Sequence, residues 1–201
     1  MNKRVCIFGD SISMGAFDDK EGGLANRLKL FVWEKNHDTL FYDLSVFGNT
    51  TSDLLKRFRN ESEARKPDTI IFAIGMNDAK YIKTKDHPRV SFEQFKKNLG
   101  TLYKQASIFS TSIIFIGITR VDESKTKFRV QEVYCDNENI KMYDAEIQSL
   151  CKEKNLLYIS MDGVLGKEDL SDGLHPNARG YEKMFQKIKM VLLEEGKIEK
   201  G

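Results

Sequence analysis

The sequence has little of what metal, nucleic-acid or membrane chemistry would require. It contains three cysteines and three histidines in 201 residues. Cys6, Cys135 and Cys151 are odd in number and match no thiolate-cluster spacing, so they read as free thiols, with Cys6 and Cys151 buried. His37, His87 and His175 are too scattered for a histidine-rich metal site. Excess charge of either sign is missing too: 32 basic and 30 acidic residues give a net charge of +2 and form no basic block. That balance gives no reason to invoke nucleic acid. No stretch approaches the ~20 apolar residues of a membrane span. Met1 runs straight into Lys3-Arg4-Val5-Cys6-Ile7-Phe8 with no apolar segment and small-residue cleavage site, so the expected location is cytoplasmic.

What is present belongs to an ordinary soluble globular chain, 40% hydrophobic and 31% charged. Its length suits a single domain, residues 1–201, able to bury a core without staples. Val5 to Phe8 is a short continuous apolar run, as expected of a parallel strand covered on both faces. Further strand signals fall at Leu40 to Phe47, Thr69 to Ile74, Ile113 to Ile116 and Leu156 to Ile159. Between them lie helical stripes: Leu24, Leu28, Phe31 and Val32; Leu54, Leu55 and Phe58; Phe92, Phe95, Leu99 and Leu102; Ile140, Tyr143, Ile147 and Leu150. A last helix carries Tyr181, Met184, Phe185, Ile188, Val191 and Leu192, with Gly196 placed to stop it. Thr51-Ser52-Asp53 and Ser91-Phe92-Glu93-Gln94 look like helix starts, the latter a capping box. Five strands alternating with helices imply an α/β fold with a parallel sheet covered on both faces. Residues 79–90 and 119–137 show no period. Both follow strand C-termini, where open α/β sheets bind ligands, so each is either a pocket wall or a solvated excursion.

The residues suited to chemistry also follow strand ends. Gly9-Asp10-Ser11 follows the first strand, Gly48-Asn49-Thr50 the second and Gly75-Met76-Asn77-Asp78 the third; Asp172-Gly173-Leu174-His175-Pro176 follows the fifth. A hydroxyl, an imidazole to take its proton and a carboxylate to orient that imidazole are the parts of acyl transfer, here Ser11, His175 and Asp172. The tetrahedral oxyanion needs donors already aimed at it, and the N–H groups of Ser11 and Gly48 and the amide of Asn77 are available. Glycine at 48 permits a close approach and a dihedral that a side chain forbids. Pro176 is expected to set the first turn of the last helix. Asp10 is expected to brace its loop through backbone hydrogen bonds, and Asp78 to end the third strand in an Asx-turn. Met14, Phe17, Met76 and Phe128 either line an acyl pocket or belong to the core. Arg120 and Arg129 either hold an anionic substrate group or are surface charges.

The four blocks resemble those of the SGNH hydrolases, the GDSL esterase/lipase family, with Ser11, Gly48, Asn77 and His175 at the four naming positions. The similarity extends from residue 5 to about residue 190. A weaker echo is Ile140 to Ile147, where Asp144 stands in place of a common Asn. The resemblance implies a flavodoxin-like three-layer α/β/α sandwich with a five-stranded parallel sheet of order 2-1-3-4-5. It implies hydrolysis of small or short-acyl carboxylic esters through an acyl-serine, with a small-molecule ester as partner and no cofactor or metal. Two alternatives stay open: a carbohydrate O-acetyl esterase with the same triad, and a non-catalytic flavodoxin-like binding module. Against the latter, no loop has the glycine-rich Walker pattern. Oligomeric state is not expressed in these patterns.

Overall fold

The structure, a computed structural model, describes residues 3–126 and 133–197. Its centre is a five-stranded, all-parallel sheet of β1 (Arg4–Gly9), β2 (Leu40–Asp43), β3 (Thr69–Ala73), β6 (Ser112–Ile116) and β8 (Leu157–Ile159), in the order β2-β1-β3-β6-β8. Counted among themselves these strands run 2-1-3-4-5, as expected. Register places Phe8 beside Phe72 and Phe72 beside Phe115. Their rings, 6.0 and 4.8 Å apart, form a row on one face of the sheet. Phe58 of α3 (Thr51–Arg65) packs on that row, 4.8 Å from Phe8. α4 (Phe92–Phe109) and α6 (Asn137–Lys154) continue this layer. Strand alternation sends Val5, Ile71 and Ile114 to the other face, where they meet Leu28 and Val32 of α2 (Gly23–Lys35) and Leu192 of α7 (Ala178–Glu194). Both faces are apolar because both are covered, so the strands show continuous hydrophobic runs rather than alternation.

Several local expectations change. The second strand ends at Asp43, and residues 44–47 form an open loop. The first turn of α3 is capped by Thr50, whose side chain accepts from the Asp53 N–H while Asp53 reaches back to the Thr50 N–H. At α4, Ser91 accepts from the Gln94 N–H, one half of a capping box. The last helix starts at Ala178 under an Asn177 cap, two residues beyond Pro176. Pro176 instead lies in a bridge with Leu170. Ser11 sits at the head of a four-residue helix, α1 (Ser11–Met14), capped by Asp10.

The two stretches without periodicity are built against each other. β4 (Tyr81–Ile82), β5 (Thr84–Pro88) and β7 (Val133–Tyr134) form a small antiparallel sheet of order β5-β4-β7, with Tyr81 and Tyr134 stacked at 5.1 Å. Two of these strands have only two residues and the third, Thr84-Lys85-Asp86-His87-Pro88, has no apolar alternation, so this second sheet had no sequence signal. A short helix, α5 (Glu123–Thr126), completes the second stretch up to the edge of the described residues. No helix among the described residues is long and apolar enough to cross a membrane.

Candidate active site

Four segments far apart in sequence meet at the C-terminal edge of the sheet. Ser11, at the first position of α1, is buried, and its Oγ lies 2.9 Å from Nε2 of His175. Nδ1 of the same ring is 2.8 Å from Oδ2 of Asp172. The other oxygen of Asp172 accepts the N–H groups of Leu174 (2.9 Å) and His175 (2.8 Å), which locks the acid and the imidazole into one tight turn. Gly173 makes that turn possible: its φ is +87°, and a Cβ there would lie 2.6 Å from Cβ of Lys125. The Gly173 carbonyl accepts the Asp122 N–H, fastening the turn to the loop after β6.

Asp10 caps α1 through Oδ1, which accepts the Ile12 N–H at 2.9 Å. Its Oδ2 accepts a hydrogen from Nδ2 of Asn77 at 3.0 Å, tying the β1 loop to the β3 loop. Burial pushes the Asp10 carboxyl above the ordinary carboxylate range, opposed by the Ile12 N–H, Lys80, His175 and Asn77. The second hydrogen of Asn77 Nδ2 goes to the Asn49 carbonyl at 3.1 Å. Gly48, immediately before, has φ +74° and nothing within 4 Å of where a Cβ would project. Its N–H has no acceptor among the described residues. The Ser11 N–H, at the first position of a helix, has no intrahelical acceptor either.

Asp78 lies five residues past the end of β3 and reaches across to α3 rather than closing the expected Asx-turn. It accepts the Thr51 N–H with both oxygens at 3.0 Å and the Thr51 hydroxyl at 2.5 Å, anchoring the start of α3 behind Gly48-Asn49-Thr50. Burial raises its carboxyl to about 7, against the lowering effect of the Thr51 hydrogen bonds.

Around the imidazole the surface is aromatic. Phe17 and Phe47, 59% and 63% exposed, place their rings 5.2 and 6.0 Å from the His175 ring. Phe17 has a left-handed backbone (φ +67°), a strained conformation for a large side chain. Both neighbours hold it there. The Ala16 carbonyl accepts the Tyr181 hydroxyl, and the Asp18 carboxylate pairs with the buried Arg27 guanidinium and accepts the Gly23 N–H. Met14 is exposed, whereas Met76 is buried in the core and borders a small cavity of about 30 Å³. Phe128 and Arg129 lie outside the described residues, and Arg120 pairs with Asp162 at the surface. Sequence reasoning did not find Phe47, Lys80 or Arg89. Lys80 donates to the side-chain oxygen Oδ1 of Asn77, and Arg89 to that oxygen and to the Gly48 carbonyl. Only their position three and twelve residues after Asn77 hinted at them, and spacing in a loop carries no direction.

The sheet order and helical layers define an α/β fold of the SGNH-hydrolase type. The chain belongs to the GDSL-like lipase/acylhydrolase family, whose profile matches residues 7–183. It is 30% identical to a multidomain esterase of Ruminococcus flavefaciens across 90% of its own length, and it spans only about a quarter (27%) of that relative. A lipase/acylhydrolase from Enterococcus faecalis has the same fold, with TM-score 0.76 at 24% identity over 99% of this chain and 98% of the other. So does the acetylxylan esterase Axe2 of Geobacillus stearothermophilus, with TM-score 0.72 at 16% identity over 94% of each chain.

Proposed function

We propose that the chain hydrolyses small carboxylic esters through an acyl-serine intermediate. The observation that carries this reading is the continuous hydrogen-bonded line from Ser11 Oγ through the imidazole to the Asp172 carboxylate, 2.9 and 2.8 Å long. Ser11 Oγ attacks the ester carbonyl carbon as His175 Nε2 takes its proton, and Asp172 steadies the imidazolium through Nδ1. The carbonyl oxygen, now negative, is held by the N–H groups of Ser11 and Gly48. It also shares the Asn77 hydrogen that otherwise rests on Asn49 O. Collapse expels the alcohol, which takes the proton from His175. Water, deprotonated by His175 in its turn, then releases the acid.

The substrate class follows from what surrounds these atoms. The site opens at the surface between two exposed aromatic rings, and the buried Met76 offers no deep acyl channel. That arrangement suits a short acyl group. A sugar O-acetyl ester is the second reading, because flat aromatic faces beside the reacting carbonyl are what a pyranose ring packs against, and Axe2 has this fold.

Turnover of p-nitrophenyl acetate, p-nitrophenyl octanoate and acetylated xylose separates these readings, with Ser11→Ala as the blank. The acetyl esters should be preferred. Removal of the Ser11 hydroxyl should lower kcat by several orders of magnitude with the fold intact. Near-normal turnover by Ser11→Ala would remove the nucleophile assignment.

A further inference from the structure

We infer that Lys80 and Arg89 act as a cationic brace on the oxyanion donors, strengthening the Asn77 amide and fixing its distance from Gly48. This rests on the reading above, in which Asn77 and Gly48 hold the developing oxyanion. Lys80 Nζ donates to Asn77 Oδ1 at 2.7 Å, and Arg89 Nη1 approaches the same oxygen at 3.4 Å. Arg89 Nη2 donates to the Gly48 carbonyl at 3.3 Å. One guanidinium thus spans two of the three loops that supply donors.

The chemistry follows from the amide itself. Oδ1 and Nδ2 share one conjugated group, so cations on Oδ1 draw electron density through it and make the N–H hydrogens more acidic. The bond from such an N–H to an oxyanion is already charge-assisted, and a more acidic N–H strengthens it further. The network also fixes which way round the amide lies. Oδ1 faces two cations, while Nδ2 faces the Asp10 carboxylate and the Asn49 carbonyl. The reversed amide would set NH₂ against both cations. On Gly48 the effect is positional: its carbonyl belongs to the peptide that follows, so Arg89 orients the glycine rather than polarising its N–H.

The small second sheet provides the support. Lys80 and Arg89 stand at the two stems of the β4–β5 hairpin, joined by the Arg89 N–H donating to Lys80 O at 2.7 Å. The flanking carbonyls are pinned to α6: Ala79 O accepts from Asn139 Nδ2 at 2.6 Å, and Val90 O accepts the Tyr143 hydroxyl at 2.5 Å. Both cations therefore spring from a fixed base and reach the Asn77 and Gly48 oxygens from it. Groups held this way need little reorganisation when charge appears on the substrate.

The test is a set of kinetic comparisons on the full chain. Removing an oxyanion donor outright costs about 10²–10³ in rate, so weakening one by Lys80→Met or Arg89→Met should lower kcat about tenfold, with KM within about twofold. Affinity for a boronic acid, which forms the tetrahedral serine adduct, should fall by the same factor. Arg89→Lys should restore part of the loss, because it keeps the charge but not the two-pronged span. The discriminating measurement is a double-mutant cycle: Lys80→Met should cost kcat little once Asn77 is already Ala. Equal losses in both backgrounds, or an unchanged kcat in all single variants, overturn the brace. If Lys80→Met is unstable, Lys80→Gln enters the same cycle. Full turnover by Asn77→Ala alone would instead defeat the parent reading.

Discussion

Asp172→Asn isolates the role of the carboxylate better than any truncation, because the turn around it distinguishes its two oxygens. Oδ1 accepts two backbone N–H groups at 2.9 and 2.8 Å, and Oδ2 faces Nδ1 of His175 at 2.8 Å. An asparagine has one oxygen and one NH₂ to distribute. Turning NH₂ toward the two backbone donors would forfeit two hydrogen bonds and leave two N–H groups opposed by a donor. Turning it toward the ring keeps both backbone hydrogen bonds and the bond to the ring, provided that Nδ1 becomes the acceptor. The second arrangement wins, since each lost bond costs about 1 kcal/mol and each stranded buried group about 1–3 kcal/mol. The imidazole must then carry its proton on Nε2, where it can no longer take the proton of Ser11. The expected loss is about 10⁴ in kcat, equivalent to about 5 kcal/mol of transition-state stabilisation. Global stability should stay within about 1 kcal/mol of the parent, because both backbone bonds survive. Asp172→Ala, which strands those N–H groups, should lose both activity and melting temperature. Steady-state kinetics with p-nitrophenyl acetate and thermal unfolding measure the two quantities. An Asp172→Asn variant with more than a tenth of normal kcat would refute the orienting role.

Three further outcomes are expected. Replacing Phe17 and Phe47 together with alanine should raise KM for apolar acyl esters about tenfold, as expected from losing about 1–2 kcal/mol of apolar contact, with a smaller change in kcat; an unchanged KM would remove both rings from the binding surface. Cys6 and Cys151 are buried, and desolvation pushes both thiols up to about 12, so neither should react with a disulfide reagent at pH 8 until the chain unfolds. The Asp78 carboxyl, raised to about 7 from 3.8, keeps a proton in the folded chain that the unfolded chain has already released across that window. Its contribution to stability therefore falls as pH rises from about 4 to 7 and levels off above, and Asp78→Asn should gain relative to the parent over that interval. Parallel stability curves for the two proteins would contradict this assignment.

The carboxyl groups around the site have a division of labour. Asp172 orients the ring, Asp10 couples α1 to Asn77, and Asp78 seats the start of α3 behind Gly48. Each carboxylate is matched to N–H donors rather than left alone, as buried carboxylates must be. The strained Phe17 fits the same pattern. Its conformation is held from both sides by Tyr181 and by the Asp18–Arg27 pair, so its ring stays beside His175 instead of collapsing into the core.

By itself the sequence determined the layered α/β plan, because five apolar runs interleaved with helical stripes admit few other solutions. It also singled out Ser11, Asp172 and His175, because each follows a strand end and parallel strands bring those connections to one edge, where the three side chains form one hydrogen-bonded line. The small antiparallel sheet, the four-residue helix under Ser11 and the start of the last helix at Ala178 were decided only in three dimensions. Their signals are either too short to have a period or depend on which side chain reaches a backbone amide. The burial of Met76, the exposure of Phe17 and Phe47 and the convergence of Lys80 and Arg89 on Asn77 are of the same kind. Residue type and spacing state what a side chain can do, whereas direction is set by the packing of segments distant in the chain.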